Sequence, residues 1–255
     1  MNQLPHRGTI SRRIGTLLLA GTALAALAHP AAAQQSWEGD TSADYNDPAN
    51  WSNNTTPTEN SAAVIDSTDN APEIDANEIG RARNLGIGVA GTGQLTIRNG
   101  GDLILGNAAN GGTLSIGGSQ TTNATGGNGR VTLTGAGSTI SGPGGLNLGV
   151  AISRDAIGLL EVLDGAVLTS TSGSIGTAEG SNGTVTISGA GSQWVIASGA
   201  AGIRIGNVNF ADAVGTLNVL DGATVTYPGG VGWTLGEGGT INVSGAGSSL
   251  GEIGI

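Results

Sequence analysis

Six segments of the chain repeat one alternation of apolar and polar positions. They start at Gly93, Gly129, Gly158, Gly183, Gly215 and Gly239. Aliphatic residues follow two and four places on, as Leu95/Ile97, Val131/Leu133, Leu160/Val162, Val185/Ile187, Leu217/Val219 and Ile241/Val243. The residue inside each pair is polar: Thr96, Thr132, Glu161, Thr186, Asn218 or Asn242. Strict period-two alternation marks a strand with one buried and one wet face. The starts span 146 residues in five intervals, a mean of 29.2. A second marker, an aliphatic residue followed directly by Gly, falls at Ile87-Gly88, Ile116-Gly117, Leu148-Gly149, Ile175-Gly176, Ile205-Gly206 and Leu235-Gly236. Its intervals are 29, 32, 27, 30 and 30. Between the two markers lies a shorter alternating piece, such as Val167 to Thr171 or Thr224 to Tyr227. Each repeat is therefore expected to supply three short strands.

The turn after the first strand alternates between two kinds. One is Asn99-Gly100-Gly101, Asp164-Gly165-Ala166 and Asp221-Gly222-Ala223; the other is Gly-Ala-Gly-Ser at 135–138, 189–192 and 245–248. Both place Gly where a positive φ costs little, and the alternation implies a unit of two repeats, about 55 residues. Stacking three strands per turn at about 4.8 Å gives an all-β fold, a right-handed parallel β-helix (solenoid) of about six coils. A β-sandwich does not explain the regular register, and a disordered Gly-rich linker would not keep aliphatic pairs in phase. The last repeat, from Gly239, is incomplete at Ile255, which reads as a fragment of a longer product.

Composition sharpens this picture. Gly accounts for 48 of 255 residues and aromatics for 3%, so helix is disfavoured and narrow coils lined by small aliphatic side chains are expected. Residues 1–33 read as a signal peptide: Arg7, Arg12 and Arg13 precede the apolar run Ile14 to Ala28, and Ala31-Ala32-Ala33 offers a cleavage site before Gln34. The apolar run is short for a membrane anchor. Removing it leaves six Arg against 19 acids and no His, Cys or Lys. Thiol, imidazole, Schiff-base and zinc chemistry thereby drop out, and the acidic balance argues against nucleic acid as a partner. Residues 34–80 carry ten of the 19 acids with Trp37, Tyr45 and Trp51, and read as an N-terminal cap over the first coil, with repeats over 81–255. Asp40, Asp44 and Asp47 offer a calcium reading, without the ligand order of an EF-hand loop.

The run Gly-Thr-Val-Thr-Ile-Ser-Gly-Ala-Gly-Ser at 183–192, with its relatives at 129–138 and 239–248, resembles the repeat of bacterial proteins associated with type V secretion and PEP-CTERM sorting. Asp47-Pro48-Ala49-Asn50-Trp51, with Pro57 and Val64-Ile65 after it, is similar to the start of many such exported chains. The resemblance covers about residues 37–255. It implies an autotransporter passenger, a β-helical stalk displayed at the cell surface or released outside. The lack of Cys fits a passenger that crosses the outer membrane unfolded. An outer-membrane translocator is implied as a partner, but neither its barrel strands nor a PEP-CTERM segment stands in this sequence. The resemblance carries over no catalytic, cofactor or metal residues.

The expected function is therefore non-catalytic: an exported stalk with adhesion to a surface or glycan ligand as an added role. The alternative is a carbohydrate-active β-helix, similar to polysaccharide lyases, using Asp102, Asp164 and Asp221 with Arg154 and Arg204. Against it, Asp164 and Asp221 share the register of Asn99, which is turn chemistry. A third reading, ice or crystal binding, rests on Thr132/Thr134, Thr169/Thr171 and Thr224/Thr226.

Overall fold

In the computed structural model, which describes residues 34–119, 125–197, 202–227 and 232–251, the aliphatic pairs lie in register from one repeat to the next. Leu95, Val131, Leu160, Val185, Leu217 and Ile241 are successive partners, as are Ile97, Leu133, Val162, Ile187, Val219 and Val243. They belong to a seven-stranded, all-parallel first ladder. Its strands are Glu73–Ile74, Thr92–Ile97, Asn128–Thr134, Ile157–Leu163, Asn182–Ser188, Val214–Leu220 and Gly239–Ser244. The remaining strands form two further parallel ladders. The second runs Ile79–Ala82, Asp102–Asn107, Thr139–Ser141, Val167–Ser170, Gln193–Ile196, Thr224–Thr226 and Ser249–Gly251. The third runs Gln35–Ser36, Ala62–Ile65, Asn84–Ile87, Asn110–Ile116, Leu146–Val150, Ser172–Ile175, Gly202–Ile205 and Trp233–Leu235. A short antiparallel hairpin, Gly106 and Asn107 against Gly111 and Asn110, joins the second and third ladders into one curled 15-stranded sheet. The fold is all-β; among the described residues helix is confined to two 3-10 turns, Pro48–Asn50 and Ser52–Asn54.

Alternation decides what is buried. Five of the six aliphatic pairs of the first ladder are fully buried. The sixth is not: Ile241 is half-buried and Val243 is 46% exposed, because strand Gly239–Ser244 has a described neighbour on one side only. Ladder pairing also begins earlier than residue 81, since Ala62–Ile65, Glu73–Ile74 and Ile79–Ala82 already enter all three ladders. Beside these strands Trp51 stacks edge-on against both Trp37 and Tyr45, at centroid separations of 5.2 and 5.0 Å. The Trp51 indole N–H donates to the Tyr45 carbonyl at 2.7 Å, and burial pushes the Tyr45 phenol well above its ordinary pKa.

One sequence expectation needs correction. The second marker does not fall at Leu148-Gly149: Val150 is the partner of Ile116 and Ile175, so the equivalent dipeptide is Val150-Ala151. Ala151 takes φ +52° where the other repeats have Gly. The strand-start glycines, Gly93 and its equivalents, have no positive φ. They are needed for close approach: a Cβ on Gly93 would stand 1.9 Å from the Ile65 carbonyl oxygen, and one on Gly129 would stand 2.2 Å from that of Ile87. No side chain fits where the start of each first-ladder strand passes the ends of the third-ladder strands stacked before it.

The interior is not lined by small aliphatics alone. Trp194 is fully buried in the second ladder, and its indole N–H donates to the Ser170 hydroxyl at 2.8 Å. It fits because Gly173 stands in the inward column where neighbouring repeats have Leu148 and Ile203. A Cβ on Gly173 would meet the Trp194 ring at 2.9 Å. Gly173→Ala is therefore expected to overpack the core and cost about 1–3 kcal/mol. The outward neighbour Ser174→Ala should change stability by less than about 0.5 kcal/mol. Urea unfolding of both variants checks this, and equal midpoints would contradict it.

Candidate functional site

The first-to-second corner is built almost identically in every repeat, from three or four residues between the strands. Asn99, Asp164 and Asp221 take φ values of 54°, 53° and 55°, each followed by a left-handed Gly. Asn and Asp tolerate this region better than other residues with a Cβ. The Gly-Ala-Gly-Ser turns interlock with them. The Ser138 hydroxyl donates to the Thr134 carbonyl at 2.7 Å and accepts from the Gly100 N–H at 2.9 Å. Ser192 does the same with the Ser188 carbonyl (2.7 Å) and Gly165 N–H (2.9 Å), and Ser248 with the Ser244 carbonyl (2.6 Å) and Gly222 N–H (2.9 Å). Each such serine thus satisfies a donor in the repeat before it, which accounts for the two-repeat period.

This corner uses up the acids singled out for catalysis. Asp164 accepts from the Thr134 hydroxyl at 2.8 Å and Asp221 from the Ser188 hydroxyl at 3.1 Å. Asp102, at the start of a second-ladder strand, accepts from the Thr139 hydroxyl. Arg154 pairs with Glu179 near the opposite corner, and Arg204 stands on the third ladder. The acids and arginines are not brought together. Asp44 and Asp47 are likewise spent locally: Asp44 accepts from the Asn46 N–H, while Asp47 caps a 3-10 turn through the Ala49 N–H at 2.9 Å and accepts from the Thr41 hydroxyl at 2.8 Å. Among the described residues no three His, Cys, Asp or Glu form a group able to hold a metal ion. The threonines form no continuous rank. Thr132 is in the first ladder, and in the second ladder Val195 separates Thr169 from Thr226 in register.

The surface relief lies on the third ladder. One outward column there runs Val64, Gly86, Ser115, Gly149, Ser174, Arg204 and Thr234. Two depressions meet at Arg204, of about 160 and 340 Å³. Ser172 and Ser174 line the first; Thr177, Asn207, Val208, Asn209 and Thr234 line the second. Arg204 is exposed and makes no ion pair among the described residues, unlike Arg98, Arg130 and Arg154. Its polar surroundings escaped sequence reading. The one available signal was the run of small residues at alternate positions of the strands that end in aliphatic-Gly.

A family model described as a domain of unknown function (DUF8693) matches residues 36–132. No curated protein matches the chain, and no solved structure matches it.

Two predictions follow from the corner chemistry. Ser192 is fully buried, so Ser192→Ala leaves the Gly165 N–H unpaired and should cost about 1–3 kcal/mol; an unchanged melting temperature would contradict the interlock. Asp75 and Asp47 are held below the usual carboxylate range. For Asp75 the cause is first the Asn99 side-chain donor, then the Ala76 N–H and the Arg98 charge; for Asp47 it is first the Ala49 N–H. A depressed carboxyl contributes stability that is full above its unfolded value and lost as pH falls through its folded one. The melting temperature should therefore decline from about pH 4 downward. Asp75→Asn should flatten that decline; an identical acid slope in the variant would count against it.

Proposed function

We propose that the chain is a right-handed parallel β-helix serving as an exported, non-catalytic stalk or passenger module of a bacterial surface protein, with adhesion as an added role. The observation that carries the β-helical part is the register: strand by strand, each repeat pairs in parallel with the next in three ladders at once. Parallel strands need crossover connections, and these are right-handed in nearly all proteins. Inward columns of mostly aliphatic residues, with Trp194 among them, then give the fold its continuous core.

The export part rests on the sequence. Residues 1–33, read as a signal peptide, lie outside the described residues. Among the described residues no helix is long and apolar enough to cross a membrane. The likeness of the Gly-Ala-Gly-Ser runs to type V secretion and PEP-CTERM-associated repeats supports display outside the cell, with a separate or downstream outer-membrane translocator. The turn bonding of Asp164 and Asp221 favours this reading over a carbohydrate-active enzyme, because both carboxylates already accept from hydroxyls of the previous repeat.

Expression of the tagged full chain in a diderm bacterium tests the proposal. Mass spectrometry of the mature protein should find Gln34 as its first residue, in the envelope or medium. A cytoplasmic protein retaining Met1 would overturn the export reading.

A further inference from the structure

The two corners that flank the first ladder differ in kind. The corner before the second ladder keeps three or four residues in every repeat, whereas the fully described corners after the third ladder vary from three residues (236–238) to eight (206–213). In stacked-repeat proteins, insertions collect on the face that binds. The eight-residue corner 206–213 carries Val208, 62% exposed, and the chain's single Phe, Phe210, 40% exposed. Its residues Gly206, Asn207, Val208 and Asn209 line one of the two depressions that meet at Arg204, the one of about 340 Å³.

We infer that this groove is a binding site for a carboxylate-bearing oligosaccharide, with Arg204 receiving the carboxylate. Arg204 is the one charged residue in its outward column, and Ser172, Ser174, Thr177, Asn207, Asn209 and Thr234 surround it with uncharged hydroxyl and amide groups. Asp212 and Glu237 lie in the adjoining corner loops, and neither forms an ion pair with it among the described residues. A guanidinium free of a protein partner offers a planar fork of donors that matches a carboxylate. Val208 and Phe210 add apolar surface of the kind that meets the C–H face of a sugar ring.

The floor of the groove selects against a peptide. Strand Ser172–Ile175 is already paired on both sides, with Leu146–Val150 and Gly202–Ile205. It has no free main-chain row for β-strand addition, so recognition falls to side-chain hydroxyls, amides and the guanidinium. The net charge of −10 is spread over the whole chain and acts at long range. At physiological salt, fields beyond about 8 Å are screened, which leaves the local Arg204 charge to act on one carboxylate.

The inference deepens the adhesive part of the proposed function and is separable from it, because export and mature N-terminus are read by a different experiment. The test is calorimetric titration of the full chain with a galacturonate hexamer, a glucose hexamer and a hexaglutamate peptide. The galacturonate hexamer should bind, at least tenfold tighter than either control, and weaken as sodium chloride rises. Arg204→Ala and Arg204→Gln should each reduce its affinity at least tenfold with unchanged melting temperature, while Arg154→Ala should leave it unchanged. No binding of the galacturonate hexamer, equal binding of the glucose hexamer or hexaglutamate, or full affinity in both Arg204 variants would overturn the assignment.

Discussion

The structure hangs on a column of main-chain hydrogen bonds at one corner. In each repeat the residue after the third strand donates its N–H to the carbonyl of the equivalent inward residue one repeat earlier. The bonds are Gly88 to Ile65 (2.9 Å), Gly117 to Ile87 (2.8 Å), Ala151 to Ile116 (2.7 Å), Gly176 to Val150 (2.8 Å), Gly206 to Ile175 (2.9 Å) and Gly236 to Ile205 (2.8 Å). For this column to form, the next strand must pass so close that only Gly fits at its start, hence the spacing of Gly93, Gly129, Gly158, Gly183, Gly215 and Gly239. Position along the column fixes which side chains face inward, since a one-residue slip would turn every aliphatic pair to solvent.

The other two corners follow from that constraint. With the register fixed, turns of consecutive repeats at the first-to-second corner lie next to one another, close enough for a serine hydroxyl to serve the turn of the repeat before it. This corner tolerates little change because each turn depends on its neighbour. The corner after the third ladder is tied between repeats by contacts that differ from one repeat to the next, such as the Ser119 N–H to the Ser153 hydroxyl (3.0 Å) and the Val89 N–H to the Asp66 carboxylate (2.5 Å), and its loops differ in length. Rigid repetition and local variation thus occupy separate sides of the same repeat. The outward column of the third ladder, small and polar apart from Val64 and Arg204, carries the two depressions.

Much of the fold was legible in the sequence because period-two alternation and burial are the same fact seen twice. The first-ladder pairs and the two turn types lie where the spacing put them. Val150-Ala151 was not legible: a residue with a Cβ occupies a positive-φ position, and the nearby Leu148-Gly149 imitates the pattern two places away. Trp194 and Gly173 were hidden for a related reason, since a large side chain and its missing counterpart lie on different ladders and about 20 residues apart in a chain rich in Gly. The candidate site was legible only as Arg204. Sequence proximity suggested acidic partners for it, whereas the fold surrounds it with hydroxyls and amides contributed by three successive repeats.

The central claim is the parallel register, and the absence of Cys from the chain makes it directly measurable by engineered disulfides. Thr186 and Asn218 are register partners in adjacent strands of the first ladder, with both side chains on the outer face. Parallel neighbours about 4.8 Å apart lie within the Cα separation that a disulfide spans. Under mild oxidation the double variant Thr186→Cys/Asn218→Cys should form an intramolecular disulfide rapidly and nearly completely. Thr186→Cys/Leu220→Cys, displaced by two residues along the same face, should remain largely reduced. Equal cross-linking of the two pairs, or preference for the displaced one, would contradict the register and with it the stacked architecture.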